Sequence, residues 1–590
     1  MPKGYVLIIL AFTLITYANS LSNGFVGDDE IIIVDNFFYR SWANLPALFQ
    51  KDYLTDTTTG YFYHETLNSG SVAYRPALSF TYFLDYGIWK LNPFGYHLHN
   101  LLYHLGNSLL VFFLMSSIGL RKQTALICSL FFVSHPILSE AVCNIGFRGD
   151  LLSSFFFLLA FLSFIRYTQA SSQKKAFYYI GSVGAFFLAV FSKESTIIFL
   201  PMVILYEKVC KKITISEMVR GLGSRYLGFL LVTIFYLYIY LVVFPNTTFK
   251  NITWLGGTPL THILTIVKIL SHYLLTLWFP LGIGILPFLY APSVEPIDSL
   301  QNLFSFLLVV VYFAVMYKVA RRFQGAAFFI FWFLIGFLPV SNIVPLANPM
   351  AYRFMYLPSV GFLALLALII DHASLKEGIL KKYPNIKSNL IRFILGFYIL
   401  TTVSLNGLWK SNYAVASEII RRYPQVPGGY VILGVEYLRA GQYEKAQNTM
   451  GYALKLGSMD PRIYYILGVC YRTFPEKAEK YLTEAIRLQP SYFAPYDVLG
   501  RIYLSQKDYV KASLYLEKSI VLEPHWPVHY AALMQAYGGL HRMKEAQALL
   551  EMARRDLPDF NSVKRLERMY SELETKSLKE TQEAQDENPP

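Results

Sequence analysis

The chain has 590 residues, of which 54% are hydrophobic, 17% aromatic and only 15% charged. Soluble globular domains carry about 25% charged residues, and the mean hydropathy here is +0.37, so a disordered chain and a soluble multidomain enzyme are both excluded. The formal charge of +13 sits in short Lys/Arg clusters between apolar spans, as in the cytoplasmic loops of a membrane protein. It forms no basic stripe interleaved with aromatics, so no nucleic-acid partner is expected.

A bilayer-spanning helix needs about 20 mostly apolar residues. Lys3 precedes an apolar run from Gly4 to about Tyr17, closed by Ala18-Asn19-Ser20. This reads as an uncleaved first span, with a signal peptide as the alternative. Similar runs predict spans near 4–22, 97–118, 124–141, 151–167, 176–191, 195–209, 226–244, 300–318, 325–340, 354–371 and 390–409, about eleven in all. The stretch 262–290 is also apolar, but Pro280 and Pro287 interrupt it. It fits either a full span or a re-entrant or interfacial segment.

The clusters Arg121/Lys122, Arg166/Lys174/Lys175, Lys208/Lys211/Lys212, Lys318/Arg321/Arg322 and Lys381/Lys382/Lys387 are assigned to the cytoplasmic side. They alternate correctly if 262–290 does not cross. The N-terminus is then inside, a long first loop at 23–95 is outside, and the chain beyond the eleventh span is outside. Four cysteines, Cys128, Cys143, Cys210 and Cys470, lie far apart and predict neither a disulfide framework nor a zinc site.

From about Tyr413 a repeat of about 34 residues appears. Leu433-Gly434-Tyr437-Ala446-Ala453-Pro461 recurs as Leu467-Gly468-Tyr471-Ala478-Ala485-Pro490, then Leu499-Gly500-Tyr503-Ala512-Pro524, and in degenerate form as Leu533-Tyr537-Ala546-Ala553-Pro558. Small residues at these offsets let antiparallel helices pack closely, the tetratricopeptide pattern. The fold class is therefore all-α: a multispanning bundle over 1–410, a tetratricopeptide solenoid over 411–570, and a polar tail at 571–590 expected to be disordered.

Charged groups at membrane depth are functional candidates, and four sets stand at outer helix ends. Gly27-Asp28-Asp29-Glu30 places adjacent carboxylates just past the first span, where mutual repulsion raises a pKa toward base work; a solvated acidic turn is the plainer reading. His135-Pro136 with Glu140, followed by Arg148-Gly149-Asp150, adds carboxylates and a planar fork matched to phosphate, against an ordinary loop with an ion pair. Ser192-Lys193-Glu194-Ser195 and Tyr352-Arg353 each supply a cation for phosphate, against a structural ion pair and an interfacial aromatic belt. A divalent cation, Mg or Mn, held by Asp28 and Glu140 is left open.

These residues, with Tyr74-Arg75-Pro76 and Leu91-Asn92-Pro93-Phe94-Gly95-Tyr96-His97, carry a resemblance. In order along 4–558, the chain resembles the transmembrane and tetratricopeptide repeat-containing proteins. Through them it is similar to the protein O-mannosyltransferases of the C-type glycosyltransferase superfamily. The resemblance implies a polyprenyl- or dolichyl-phosphate sugar as donor and a protein Ser/Thr hydroxyl as acceptor. It implies an inverting transfer of mannose or another hexose, with the tetratricopeptide groove engaging the acceptor. Asp28, Asp29 and Glu140 match its acidic positions, and Arg148, Lys193 and Arg353 match donor-phosphate positions. Glu30, Arg75, His135, Asp150 and Glu194 are expected to support them. Asp29 is set narrowly ahead of Asp28 as base. The alternatives are a non-catalytic scaffold recruiting partners through its repeats, or sugar transfer to a glycan or lipid. A bacterial inner membrane with periplasmic repeats is preferred, or the endoplasmic reticulum with luminal repeats if the source is eukaryotic.

Overall fold

A computed structural model describes residues 3–49, 74–243, 254–284, 299–323, 325–346, 348–373, 385–557 and 560–587, which contain helices and no β-strand. The chain divides into two units, one of residues 1–55 and 67–415 and the other of 56–66 and 416–590.

In the first unit the helices are α1 (Lys3–Tyr17), α2 (Pro76–Trp89), α3 (Pro93–Ile118), α4 (Lys122–Ser134), α5 (Ser139–Cys143), α6 (Arg148–Gln169), α7 (Ser172–Val190) and α8 (Phe199–Val209). They continue as α9 (Ile215–Arg220), α10 (Leu227–Tyr238), α11 (Pro259–Trp278), α12 (Leu300–Arg322), α13 (Ala326–Phe337), α14 (Ser359–Ala373) and α15 (Asn385–Asn406). Seven described helical stretches are long and apolar enough to cross a bilayer alone: Lys3–Ser22, Pro93–Ile118, Ile145–Gln169, Leu222–Val243, Pro259–Trp278, Leu300–Arg322 and Asn385–Trp409. The remaining expected spans are shorter, more polar or broken. Lys122–Ser134 and Pro136–Cys143 meet at 51° because Pro136 cannot continue the helix. Ala326–Val340 and Ser359–His372 are apolar but short.

Apolar side chains gain little by leaving lipid for one another, so helix association in a bilayer leans on close packing and interhelical hydrogen bonds. Both are present. Ser129 donates to the Ser108 carbonyl at 2.7 Å, Thr402 to Ser134 at 2.7 Å, Ser182 to Ala160 at 2.7 Å and Asn107 to Leu151 at 2.9 Å. These tie α4 to α3, α15 to α4, α7 to α6 and α3 to α6. Phe157, Phe161 and Phe328 pack edge-on or offset around the buried Trp332, whose indole N–H donates to the Leu357 carbonyl at 3.1 Å. The first and last membrane helices are joined by Asn406, whose amide donates to the Thr16 carbonyl at 2.8 Å.

α11 occupies the segment left open by the sequence. Its 20 residues would span about 30 Å, enough to cross. Its hydrogen bonds argue otherwise. Near its start, His262 donates from Nε2 to the Asn342 carbonyl at 2.8 Å, just past the outer end of α13. Tyr273 exchanges hydrogen bonds of 2.9 Å with the Ala351 backbone, ahead of α14. At its end, the Leu277 carbonyl accepts from His135 Nε2 at 3.1 Å, beyond α4. If the Lys/Arg clusters at 121–122 and 318–322 are cytoplasmic as expected, all three partners lie outside and both ends of α11 with them. Its polar residues Thr265, Lys268 and Thr276 are buried while Leu260, Ile263 and Leu275 are exposed, which suits a helix lying against the outer ends of the bundle.

In the second unit, antiparallel helix pairs stack as a solenoid: α16 (Asn412–Arg422, entering from the first unit), α17 (Pro427–Arg439) with α18 (Tyr443–Lys455), α19 (Pro461–Cys470) with α20 (Pro475–Leu488), α21 (Phe493–Ser505) with α22 (Tyr509–Leu522), α23 (Pro527–Gly539) with α24 (Met543–Asp556), and α25 (Phe560–Glu587). The repeat glycines have a steric reason. A Cβ on Gly468 or Gly500 would stand 2.5 Å from Leu482 or Leu516 Cγ on the paired helix. The repeat prolines also serve: the Pro490 and Pro524 carbonyls accept from Tyr496 and Tyr530 at 3.0 and 2.9 Å, fixing the start of each first helix. The stretch 571–590, expected to be disordered, instead continues α25 to Glu587. Leu573 packs on the solenoid core together with Leu566, Met569 and Tyr570 ahead of it.

If α11 lies on the outer side, cysteines replacing Leu260 and Leu281 in a cysteine-free background will both react with a membrane-impermeant maleimide added outside, whereas Lys212→Cys will react only after permeabilisation. Labelling of Leu260→Cys and Leu281→Cys from opposite sides would make α11 a true span.

Candidate functional site

Beyond α1 the chain turns at Gly27, whose φ of +59° suits glycine, and delivers Asp28 and Asp29 onto one turn. Their environments differ sharply. Asp29 is fully buried. Its Oδ1 accepts from the Gly146 N–H at 2.5 Å and its Oδ2 from the Val26 N–H at 3.0 Å. Asp28 is exposed, and no described residue hydrogen-bonds to its carboxylate. Burial brings the Asp29 carboxyl to about 7, with the Asp28 charge adding to the rise and the two backbone N–H groups opposing it. The Asp28 carboxyl is also raised, because protein crowds it although solvent reaches it, and the Arg353 guanidinium acts in the opposite sense. Glu30 is half-buried and accepts from Asn412 at 2.8 Å.

Three ion pairs involve the other candidates, and one of their cations, Arg353, acts on Asp28. Arg353 donates from Nη1 to Glu140 Oε1 at 2.5 Å and from its backbone N–H to Oε2 at 3.0 Å. Its guanidinium also lies over the Phe147 ring at 3.8 Å, a desolvated cation–π contact. Lys193 is 7% exposed and donates to Asp150 Oδ1 at 2.6 Å, 5.5 Å above the Phe354 ring. Burial pulls the Lys193 ammonium down, and Arg75 and Arg353 reinforce this against Asp150. Arg75 grips Glu194 with two bonds of 3.0 and 2.7 Å. Burial would raise Glu194, but Arg75 and Lys193 outweigh it and leave the carboxyl at about 2. Within the turn at 192–195, Glu194 is therefore ionised and held by Arg75.

Asp28, Asp29, Glu140, Asp150, Lys193, Glu194, Arg353 and Arg75 thus come together through direct contacts and mutual electrostatic influence. Arg148 and His135 do not join them. Arg148 is turned inward and fully buried, paired with Asp85 at 2.5 Å. It also donates to Asn100 Oδ1 at 2.8 Å, Thr81 Oγ1 at 3.1 Å and the Tyr96 carbonyl at 3.0 Å, so it offers no face to a phosphate here. His135 is buried, its Nδ1 accepting from the Ile137 N–H at 3.2 Å while Nε2 holds α11. It caps a turn. Of the two residues left open for a metal, Asp28 and Glu140, Glu140 accepts from Arg353 at both oxygens. Among the described residues no three His, Cys, Asp or Glu side chains gather as a metal set. Asn144, Gly146 and Phe147 were missed by the sequence reading, and Asp85, noted there only as one of the first loop's acidic residues, instead pairs Arg148.

No family model matches the chain. Curated proteins do. The mouse protein O-mannosyl-transferase TMTC3 is 27% identical over 608 residues, covering 94% of this chain and 60% of that protein. The Caenorhabditis elegans protein O-mannosyl-transferase F38B6.6 is 25% identical over 76% of this chain and 62% of its own length. Human protein O-mannosyl-transferase TMTC1 is 31% identical over 28% of this chain and 18% of its own. The curated homologues are TMTC-type protein O-mannosyl-transferases. The chain spans about three fifths of the length of the first two of these relatives.

The Asp29 carboxyl lies well above its ordinary 3.8, so the folded protein binds this proton more tightly than the unfolded chain does. Its stabilisation is complete below about pH 4 and is lost as pH rises through about 7. Tm measured from pH 4 to 8 will therefore fall for the wild type relative to Asp29→Asn across that window. Parallel curves would show that Asp29 titrates normally.

Proposed function

We propose that the chain is a membrane glycosyltransferase that moves a hexose, mannose in keeping with the names of its relatives, from a polyprenyl- or dolichyl-phosphate carrier to Ser or Thr hydroxyls of proteins. The observation that supports this reading best is a solvent-reached carboxylate, Asp28, within the field of the Arg353 guanidinium, which is in turn coupled to a second cation, Lys193, each cation being held by one buried carboxylate. Arg353 and Lys193 retain donors beyond those given to Glu140 and Asp150, since a guanidinium carries five and an ammonium three. By the charge topology they lie at the outer ends of membrane helices, the depth at which a lipid-linked phosphate travels.

Asp28 accepts the proton of the acceptor hydroxyl as its oxygen attacks the anomeric carbon. The bond from that carbon to the phosphate oxygen breaks, and the electron pair leaves with the lipid phosphate. Arg353 and Lys193 stabilise the charge gathering there, in a setting where few water molecules compete. A single displacement inverts the anomeric centre. Asp28 is preferred to Asp29 as base because a general base must reach the proton it takes, and Asp29 is buried with both oxygens bonded to backbone. Asp29 then holds the turn. The 1–410 region carries this chemistry, and the 411–570 solenoid, on the outer side, engages the acceptor protein. A scaffold acting through its repeats has no use for the buried Lys193–Asp150 pair.

Purified protein supplied with dolichyl-phosphate [3H]mannose and a Ser/Thr-rich acceptor will show transfer. Asp28→Asn, nearly isosteric, will lower it by about 10²–10⁴-fold, the range for loss of a general base, with donor binding retained. Turnover in Asp28→Asn equal to wild type would remove Asp28 from the chemistry.

A further inference from the structure

The phosphate role expected of Arg148 is not met by its contacts, which go to Asp85, Asn100, Thr81 and the Tyr96 carbonyl. We propose that Arg148, anchored by Asp85, is a positioning residue that fixes the segment Asn144–Arg148 as a rigid seat for both the acidic turn and Arg353. This rests on the reading of Asp28 as the base.

The seat is assembled within five residues. The Asn144 side chain donates to the Val26 carbonyl at 3.3 Å, just ahead of the acidic turn. The Gly146 N–H donates to Asp29 at 2.5 Å, and the Phe147 ring lies 3.8 Å under the Arg353 guanidinium. One short turn therefore touches the loop that carries Asp28 and the cation assigned to the phosphate. Arg148 closes that turn and starts α6. Its bonds to Asp85 and Thr81 on α2, and to Asn100 and the Tyr96 carbonyl on α3, clamp it to two helices. The Tyr82 ring covers the guanidinium at 5.0 Å, and His99 contacts Asp85 from the other side. A guanidinium with no exposed surface cannot leave this place without its carboxylate, so the seat has one position.

Gly146 shows how tight the fit is. A Cβ there would stand 3.1 Å from Ile32 Cδ1, 3.2 Å from Asp29 Oδ1 and 3.3 Å from Asn144 Oδ1. A methyl group would push the Asp29 carboxylate, and with it the adjoining Asp28, by a few tenths of an ångström. Displacements on the order of 1 Å cost about 100-fold in rate.

The test uses the full chain in detergent with dolichyl-phosphate [3H]mannose and a Ser/Thr-rich peptide, comparing wild type, Arg148→Lys, Gly146→Ala and Asp28→Asn. The expected result is a kcat about 10- to 100-fold lower for Arg148→Lys and about 3- to 10-fold lower for Gly146→Ala, whose displacement is smaller, with a donor KM within about twofold and a pH–rate profile displaced from that of the wild type in both. Two results would overturn the proposal. A donor KM raised about 10-fold or more in Arg148→Lys, with Gly146→Ala near wild type, would make Arg148 a phosphate ligand. A reduced folded fraction whose surviving molecules keep wild-type kcat and pH profile would make its role structural only. If Arg148→Lys does not fold, Gly146→Ala decides by the same readouts. Wild-type transfer by Asp28→Asn would sink the base assignment alone, while the other two variants still judge the seat.

Discussion

The structure depends on charge compensation at the ends of apolar helices. Removing a charge from water costs several kcal/mol, recovered only where a partner and further hydrogen bonds are in place. The Arg148–Asp85 pair is the extreme instance: neither side chain has exposed surface, and the guanidinium is satisfied by a carboxylate, two side-chain oxygens and a carbonyl. The pairs Lys193–Asp150, Arg353–Glu140 and Arg75–Glu194 obey the same rule with some solvent access, Glu194 having the most. Each fastens segments far apart in sequence, so where the loops run at this end of the bundle is largely set by which charge each must meet.

The same rule separates the two neighbouring aspartates. Asp29 turns inward and is satisfied by backbone N–H groups; Asp28 turns outward with no described partner. A dipeptide of identical residues thereby acquires two roles, one structural and one proposed as chemical. The cations are held in a comparable way. A carboxylate that pairs a buried lysine or arginine fixes its position and keeps it charged, while leaving donors for an anion. Such preorganised charge is the largest contribution usually available to transfer from a phosphate.

In the second unit, stability comes from shape. Gly468 and Gly500 admit leucines of the paired helices, the buried alanines Ala478, Ala512 and Ala546 allow close approach, and α25 covers the last pair with an apolar stripe. Each helix pair buries its face only by stacking on the next. In the first unit interhelical hydrogen bonds and aromatic packing take a larger part, because lipid offers little hydrophobic gain.

Composition and periodicity were enough to establish a multispanning helical protein followed by a repeat solenoid, because hydrophobic length and a 34-residue period are local properties of the chain. The residues of the ion-pair cluster were also legible, since a Lys193-Glu194 or Asp28-Asp29 pair beside an apolar span stands out against its neighbours. Their pairing was not. Glu140 meets Arg353 across 213 residues and Asp29 meets Gly146 across 117, distances at which sequence carries no geometric information. The inward turn of Arg148, the burial of Asp29 rather than Asp28, and the two-ended attachment of α11 are likewise decided only when helices pack. Each follows from the same cost: a buried charge or donor must find its partner, and the folded chain alone determines which partner is within reach.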